Sequence, residues 1–404
     1  MIHERTRSIG VDAIAIAVPE GYLELCDLAE ARGVPPAKYV DGLGVVRMAV
    51  AAAHEDPVTL AADAVRRLFR TASIDPSSIG LCVVGTETAV DHSKPIAAYL
   101  HRLAGLPDRC RIYEAKHACF GGTAGLMTAI DWIASGSARG RSALVVCSDI
   151  ARYGIRSAGE PTQGAGAVAM LISENPRLLR LEPGVTGSFA RDVDDFWRPL
   201  HSKDAVVDGA RSVQCYLDAL IGAYDAYRDA AREVGVEPDA IVRRCYHVPY
   251  GKMAKKAHRA LLAHLGSSEA EADARFAAEV GSSLRFSAEI GNVYTGSLYL
   301  ALASMLDAEA DVLEGERIGL FSYGSGCCAE LFAGTVVPGA AAFTRALELA
   351  APLASRRALS IAEYEAIRAA DADADRRAPS EPPPAASRGV AFAGVEADRR
   401  LYLG

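Results

Sequence analysis

The chain contains no apolar run of 18 or more residues, which argues against a membrane-spanning helix. Its first residues, Met1 to Arg7, are polar and charged and lead straight into Ser8-Ile-Gly-Val-Asp, without the hydrophobic region of a secretion signal. Positive charge is in short supply: 43 Lys and Arg against 51 Asp and Glu leave a formal charge of -8. That balance speaks against a nucleic-acid binder, which carries a basic patch, and leaves room for a local basic cluster that meets a phosphorylated ligand. There is no CxxC pair and no Cys/His metal spacing; the nine cysteines are odd in number, scattered, and mostly set in apolar segments. They read as free thiols of a reducing cytoplasm, one or two of them chemical at most and the rest small core residues. Missing too are a GxGxxG after a strand, a P-loop, a GxSxG elbow and an HExxH or other metal motif.

What remains is a chain of 404 residues, half of them hydrophobic and 23% charged. That is enough for two or three core units, or one large duplicated one. Short apolar runs alternate with amphipathic stretches, the pattern of an α/β chain. The runs predict strands over Ile9 to Ala17, Leu81 to Thr86, Ala143 to Ser148, Ala165 to Ile172, Cys245 to Val248, Ile318 to Ser322 and Ala329 to Phe332. The amphipathic stretches predict helices over Leu60 to Thr71, Lys94 to Leu103, Gly122 to Ala134, Val213 to Val234, Lys252 to Leu265 and Gly296 to Leu306. Gly164-Ala-Gly-Ala-Val-Ala-Met-Leu echoes Gly324-Ser-Gly-Cys-Cys-Ala-Glu-Leu, each with small residues at the start of an apolar strand. The echo is either chance or the trace of two similar halves packed face to face. The Asp/Ala/Pro-rich stretch with Pro382-Pro-Pro384 cannot pack a core and predicts a mobile segment over 371–388, after which Gly389 to Tyr402 returns to the body.

Several stretches carry groups that do chemistry. In Glu114-Ala-Lys-His-Ala-Cys119-Phe-Gly-Gly, the cysteine stands between an extended segment and a glycine-led helix. At a helix start the dipole lowers a thiol pKa, and backbone N–H groups there can hold an oxyanion; the competing reading is a buried core cysteine. Glu87 follows directly on an apolar strand, where carboxylates often face a ligand crevice and, partly desolvated, suit proton transfer; the competing reading is an ion-paired or capping carboxylate. His247 ends another strand, and Pro249 turns the chain into a helix with Lys252, Lys255 and Lys256. The histidine reads as a general acid or carbonyl-orienting group, or as structural; the lysines read as a site for CoA phosphates or the acidic face of a carrier protein, or as a solvated face. Asn292 and Ser325 lie in small polar breaks, where an amide or a backbone N–H meets a carbonyl, and turn chemistry alone explains them equally well.

Taken in order, these pieces resemble the 3-hydroxy-3-methylglutaryl-CoA synthase family. The resemblance runs nearly the whole chain. It rests on Thr86-Glu87-Thr-Ala-Val-Asp-His-Ser-Lys, Glu114-Ala-Lys-His-Ala-Cys119, Ser148-Asp-Ile-Ala-Arg-Tyr153-Gly, Asp195-Phe-Trp-Arg-Pro, Tyr246-His247-Val-Pro-Tyr, Gly291-Asn292-Val-Tyr-Thr-Gly-Ser and Phe321-Ser-Tyr-Gly-Ser325-Gly. It implies a thiolase-like duplicated α/β fold in five layers, αβαβα, usually a homodimer, with halves at 1–174 and 175–404. It implies that Cys119 takes an acetyl group from acetyl-CoA, that Glu87 removes a methyl proton, and that the carbanion attacks acetoacetyl-CoA, whose oxygen His247 helps protonate and position. Water then releases the product. Cys119 and Ser325 N–H groups would hold the thioester oxyanion, Asn292 and Tyr153 would line the acyl pocket, and the three lysines would meet CoA. No cofactor beyond the CoA thioester substrates is implied.

The chain departs from the family at His117, where CoA-using members often have Gln or Glu, and at Cys327-Cys328 after the Gly-Ser-Gly turn. Both variants resemble the polyketide β-branching relatives, whose substrates ride on acyl carrier protein. His247-Val-Pro, Lys252-Met-Ala-Lys-Lys, Val207-Asp-Gly and Tyr294-Thr-Gly-Ser-Leu-Tyr-Leu resemble the mevalonate-pathway enzyme, the reading adopted. A ketoacyl synthase III-like Claisen enzyme would also set Cys, His and Asn together, and Glu87 separates it, since a decarboxylating condensation needs no such base. A degenerate paralogue that only binds acyl-CoA would fail to release CoA from acetyl-CoA.

Overall fold

The computed structural model describes residues 8–371, 378–379 and 389–404. Nine strands form one sheet: β1 (Ile9–Ala17), β2 (Ile79–Gly85), β3 (Arg111–Ala115), β4 (Ser142–Ala151), β5 (Gly164–Glu174), β6 (Leu179–Ala190), β7 (Arg243–Tyr246), β8 (Arg317–Gly324) and β9 (Cys328–Val336). Their spatial order is β7-β8-β9-β6-β1-β5-β4-β2-β3. All nine residues of β1 are buried, which is why it reads as an unbroken apolar run rather than an alternating one.

The duplication is visible in the ladders. β1 meets β6 antiparallel through Gly10–Arg180 and Val11–Leu179. Outward from that seam, β1 pairs antiparallel with β5, β5 antiparallel with β4, and β4 parallel with β2. On the other side β6 pairs antiparallel with β9, β9 antiparallel with β8, and β8 parallel with β7. Gly164 opens β5 and Gly324 leads through a short turn into β9, so the echoed segments stand at matching places on either side of the seam.

Helices complete the five layers. α1 (Pro57–Thr71) packs on β1, β5 and β4, and α3 (Gly209–Glu233) on β6, β9 and β8, with α4 (Gly251–His264) against α3. Between the halves lie α2 (Gly121–Ala134) and α5 (Ser297–Leu313). α5 is buried at every position from Ser297 to Leu306, as expected of a helix hydrophobic all round. α2 and α5 are joined by a 2.8 Å hydrogen bond between the Thr123 and Tyr299 hydroxyls. α1 starts where it does because Asp56 accepts from the Val58 and Thr59 N–H groups at 2.9 and 3.0 Å, with Pro57 in the first turn.

The C-terminal ribbon, Ala391–Glu396 with Arg399–Leu403, returns to the body as expected: Arg400 and the Tyr402 hydroxyl both donate to Asp56 Oδ2, at 2.8 and 2.6 Å. Asp371, placed by its composition in a mobile segment, is instead fixed, accepting from Arg152 Nη2 at 3.0 Å and Arg368 Nη1 at 3.1 Å. Apart from Asp371, Ala378, Pro379, the segment 371–388 lies outside the described residues, as do Met1 to Arg7. Among the elements that escaped the sequence pattern are two long ones. β6 is interrupted by Glu182-Pro-Gly184, and helix Glu269–Glu279 fully buries only Ala272, so neither shows a clean apolar period.

Candidate active site

Glu87, Cys119 and His247 stand where their strands end, as expected. β2 stops at Gly85, and the next three residues are clamped by Asp149 on β4. Asp149 Oδ1 accepts from the Thr86 hydroxyl (2.9 Å), the Glu87 N–H (2.9 Å), and the Thr88 N–H and hydroxyl (3.0 and 2.9 Å). Its Oδ2 accepts from the Thr295 N–H and hydroxyl at 3.1 and 2.5 Å. Asp149 is fully buried, which pushes its carboxyl above the usual range, while the donors, Thr295 foremost, pull it back. Asp149→Ala would leave this ring of buried donors without an acceptor. We expect it to lower unfolding stability by about 3–5 kcal/mol, the cost of breaking a buried charged network. Urea unfolding at unchanged m-value measures this, and a loss below about 1 kcal/mol would mean the donors find other partners.

Cys119 follows β3 through a tight turn. Ala118 has a left-handed φ of 36°, and the Phe120 N–H donates to the His117 carbonyl at 2.8 Å. α2 begins two residues later with no side-chain cap. It packs flush on the end of β2: a Cβ on Gly85 would lie 2.3 Å from the Gly122 nitrogen, so glycine brings the cysteine turn beside the strand that delivers Glu87. The Ser325 turn closes on the same place, since a Cβ on Gly324 would lie 2.6 Å from the Phe120 nitrogen. Thr123 on α2 also donates to the Ser322 hydroxyl on β8 at 2.8 Å. Among the described residues, the loop and turn hydrogen bonds engage neither the Cys119 N–H nor the Ser325 N–H, the two donors expected to meet an oxyanion.

The thiol itself corrects an expectation. Cys119 as a residue is half-buried. Its pKa is raised rather than lowered: desolvation disfavours the thiolate, the nearby Glu87 and Asp149 carboxylates add to this, and Arg198 opposes them. The helix start does not outweigh a dry, acid-lined pocket. At rest the group is therefore a thiol rather than a thiolate.

Glu87 is held by Arg198, which no local sequence pattern marks. Arg198 Nη2 donates to Glu87 Oε1 at 2.9 Å, and Nη1 to the Glu87 backbone carbonyl at 2.5 Å. Burial pushes the Glu87 carboxyl up to about 8, Arg198 pulling it down and Asp149 adding to the rise. Tyr153 and Tyr294 border the pair: Phe196 stacks edge-on against both, and the Arg198 guanidinium lies 5.6 Å from the Tyr294 ring centre.

His247 enters from the other half. β7 and β8 run parallel with Tyr246 opposite Phe321, so His247 leaves the sheet beside the strand that leads to Ser325. Its N–H donates to the Phe321 carbonyl and its carbonyl accepts from the Tyr216 hydroxyl, both at 2.8 Å. Burial pushes its pKa down to about 3, so the imidazole is neutral at neutral pH. Asn292 accepts at Oδ1 from the Tyr294 N–H (2.9 Å) and the Ser297 hydroxyl (3.0 Å), which leaves the Nδ2 end to meet a carbonyl. The lysines stand apart from this cluster: Lys252 and Lys256 are exposed on α4, and Lys255 pairs with Asp273 at 3.3 Å.

Asp149, Asp195 and Arg198 lie inside the family-like motifs, and no local pattern gives them a role. Asp149 could have been suspected, since a lone carboxylate inside an apolar strand must be hydrogen-bonded. A second titratable group, Glu20, His54 and Glu55, is occupied by structure: the Glu55 carboxylate accepts from the Glu20 and Ala52 N–H groups at 2.9 and 2.8 Å.

Residues 5–176 match the family model described as hydroxymethylglutaryl-coenzyme A synthase N terminal, and residues 179–274 and 266–378 match the corresponding C terminal model. The chain is 41% identical over 368 residues to the hydroxymethylglutaryl-CoA synthase of Enterococcus faecalis, covering 91% of this chain and 93% of that protein. It is 34% identical over 374 residues to the polyketide biosynthesis 3-hydroxy-3-methylglutaryl-ACP synthase PksG of Bacillus subtilis, covering 89% and 88%. Among solved structures it is similar to MvaS in complex with 3-hydroxy-3-methylglutaryl coenzyme A, with 48% identity, a TM-score of 0.93, and 98% and 99% of the two chains covered. It is also similar to the curacin pathway HMG synthase in complex with acetyl donor-ACP, with 31% identity, a TM-score of 0.91, and 98% and 99% covered.

Proposed function

The chain belongs to the hydroxymethylglutaryl-CoA synthase family, and from that premise we propose how its own residues carry the reaction. The enzyme condenses acetyl-CoA with acetoacetyl-CoA and water to give HMG-CoA and CoA. The Cys119 thiol attacks the acetyl carbonyl, loses its proton, and expels CoA as its thiol, the oxyanion meeting the Cys119 and Ser325 N–H groups. Glu87 takes a proton from the acetyl methyl group through Oε2, the carboxylate oxygen that is buried without a partner. The enolate attacks C3 of the acetoacetyl thioester. His247, being neutral, orients that oxygen through a ring N–H, and the proton now on Glu87 is the acid at hand for the new alkoxide. Water then cleaves the Cys119 thioester and restores the thiol. Tyr153 and Asn292 line the acyl pocket.

One observation supports this reading above the others: a half-buried cysteine, a buried carboxylate with one free oxygen and a neutral imidazole at the strand ends of the two halves. The chemistry asks for no metal and no cofactor beyond the CoA thioesters. Lys252 and Lys256 remain available to CoA phosphates. The same reading makes the protein a homodimer of the reducing cytoplasm, with β3 at the sheet edge where a second copy adds strands. Among the described residues no helix is long and apolar enough to cross a membrane.

A carrier-protein acceptor is the second reading, favoured by His117 directly before Ala118-Cys119 and by the similarity to PksG. The greater identity to the Enterococcus enzyme favours free acetoacetyl-CoA and the mevalonate pathway. Offered acetoacetyl-CoA and acetoacetyl-carrier protein side by side, the enzyme is expected to turn over the CoA ester at least ~10-fold more efficiently in kcat/KM, about 1.4 kcal/mol. The reverse preference would replace the mevalonate reading with polyketide β-branching.

A further inference from the structure

The segment that begins at Asp195 ties the two halves of the site together. Asp195 Oδ1 accepts from the Gly326 N–H at 2.9 Å and Oδ2 from the Tyr323 hydroxyl at 2.7 Å, so this carboxylate holds the turn that carries Ser325. One residue on, Phe196 packs against Tyr153 and Tyr294, with ring centres 6.4 and 5.9 Å away. Arg198 then crosses to Glu87, one arm on its backbone carbonyl and one on Oε1. Because both arms grip the same residue, the fork sets the rotation of the carboxylate as well as its place. The pair is closed from solvent, the side chains 18% and 7% exposed. Glu87 Oε2 is left as the buried oxygen with no partner.

We propose that Arg198 is a positioning residue for the condensation: it pins Glu87 by its carbonyl and Oε1 so that Oε2 faces the acyl group on Cys119, and it supplies the counter-charge that lets a buried carboxylate serve as base. This rests on the reading of Glu87 as the base. Arg198 touches no reacting atom and acts through Glu87. The groups facing that carboxylate are Arg198, which favours its ionised form, Asp149, which opposes it, and Cys119, Tyr153 and Tyr294, each held protonated by burial. Removing the guanidinium therefore raises the Glu87 pKa further, and the base-dependent limb of the rate moves to higher pH.

The test uses the full-length enzyme with Arg198→Gln, Arg198→Lys and Glu87→Gln. Each is scored against pH for acetylation of Cys119 by acetyl-CoA and for condensation with acetoacetyl-CoA. Arg198→Gln is expected to acetylate within about 3-fold of wild type, to condense about 10²-fold more slowly, and to show its rising limb displaced upward by about a unit. Arg198→Lys keeps the charge without the fork; it is expected to restore the limb and only part of the rate. An Arg198→Gln limb that coincides with wild type, or equal losses in both half-reactions, would overturn the inference. A slow Glu87→Gln beside a wild-type-like Arg198→Gln overturns Arg198 alone, whereas wild-type condensation by Glu87→Gln removes the base assignment itself.

Discussion

Cys119→Ala is expected to abolish turnover, with a loss of at least about 10⁴-fold, and to abolish CoA release from acetyl-CoA with it. The wild-type enzyme, incubated with acetyl-CoA and digested, should carry one acetyl group on the peptide containing Cys119. Cys82, Cys147, Cys245 and Cys327 are buried, Cys26 is exposed on the helix Leu25–Ala31, and Cys110, Cys215 and Cys328 are half-buried like Cys119, so the label must be mapped to its peptide. An acetyl group found on another cysteine instead would remove Cys119 from the mechanism. The raised thiol pKa adds a second expectation. Since burial and the Glu87 and Asp149 carboxylates disfavour the thiolate, alkylation of Cys119 by iodoacetamide should accelerate through neutral pH without levelling off. A plateau near neutrality would mean that the helix start, not the acidic pocket, governs the thiol.

Glu87→Gln is expected to separate the half-reactions. Acetylation should persist while condensation falls about 10²- to 10⁴-fold, the usual worth of a positioned general base, so acetylated enzyme accumulates. Near-normal condensation by this variant would exclude the role. The sign of the pH dependence follows from the carboxyl, which burial holds at about 8. A base must be deprotonated, so wild-type condensation should rise with pH through that value, and the variant should lose the limb. Stability runs the other way. The folded state holds this proton to higher pH than the unfolded chain, so the contribution is present below the ordinary glutamate range and is lost as pH rises toward about 8. Above that pH Glu87→Gln should be more stable than wild type by thermal unfolding, as expected where a site keeps a costly buried charge for function.

Much of the site was legible locally. Glu87, Cys119 and His247 each stand where an apolar run stops and a polar or glycine-led turn begins, and a strand end is a property of neighbouring residues. The two echoed glycine segments marked the duplication for the same reason. The order of the strands, and the alternation of antiparallel and parallel ladders about the β1–β6 seam, then placed those ends together. What escaped was everything that depends on residues far apart in the chain. Arg198 reaches Glu87 across 111 positions, Asp149 reaches the Glu87 N–H across 62, and Asp195 reaches the Gly326 N–H across 131. A hydrogen-bond partner at such a distance leaves no periodicity and no spacing to read. The sign of the Cys119 shift belongs to the same class. A helix start is visible in sequence and argues for a lowered pKa. Desolvation and two carboxylates from other strands argue for a raised one, and they prevail because a charge in a dry pocket is governed by what surrounds it in space. Sequence by itself determined which groups are candidates for the chemistry and on which elements they sit; only the tertiary structure decided their ionisation and their aim, since both are set by groups that meet only on folding.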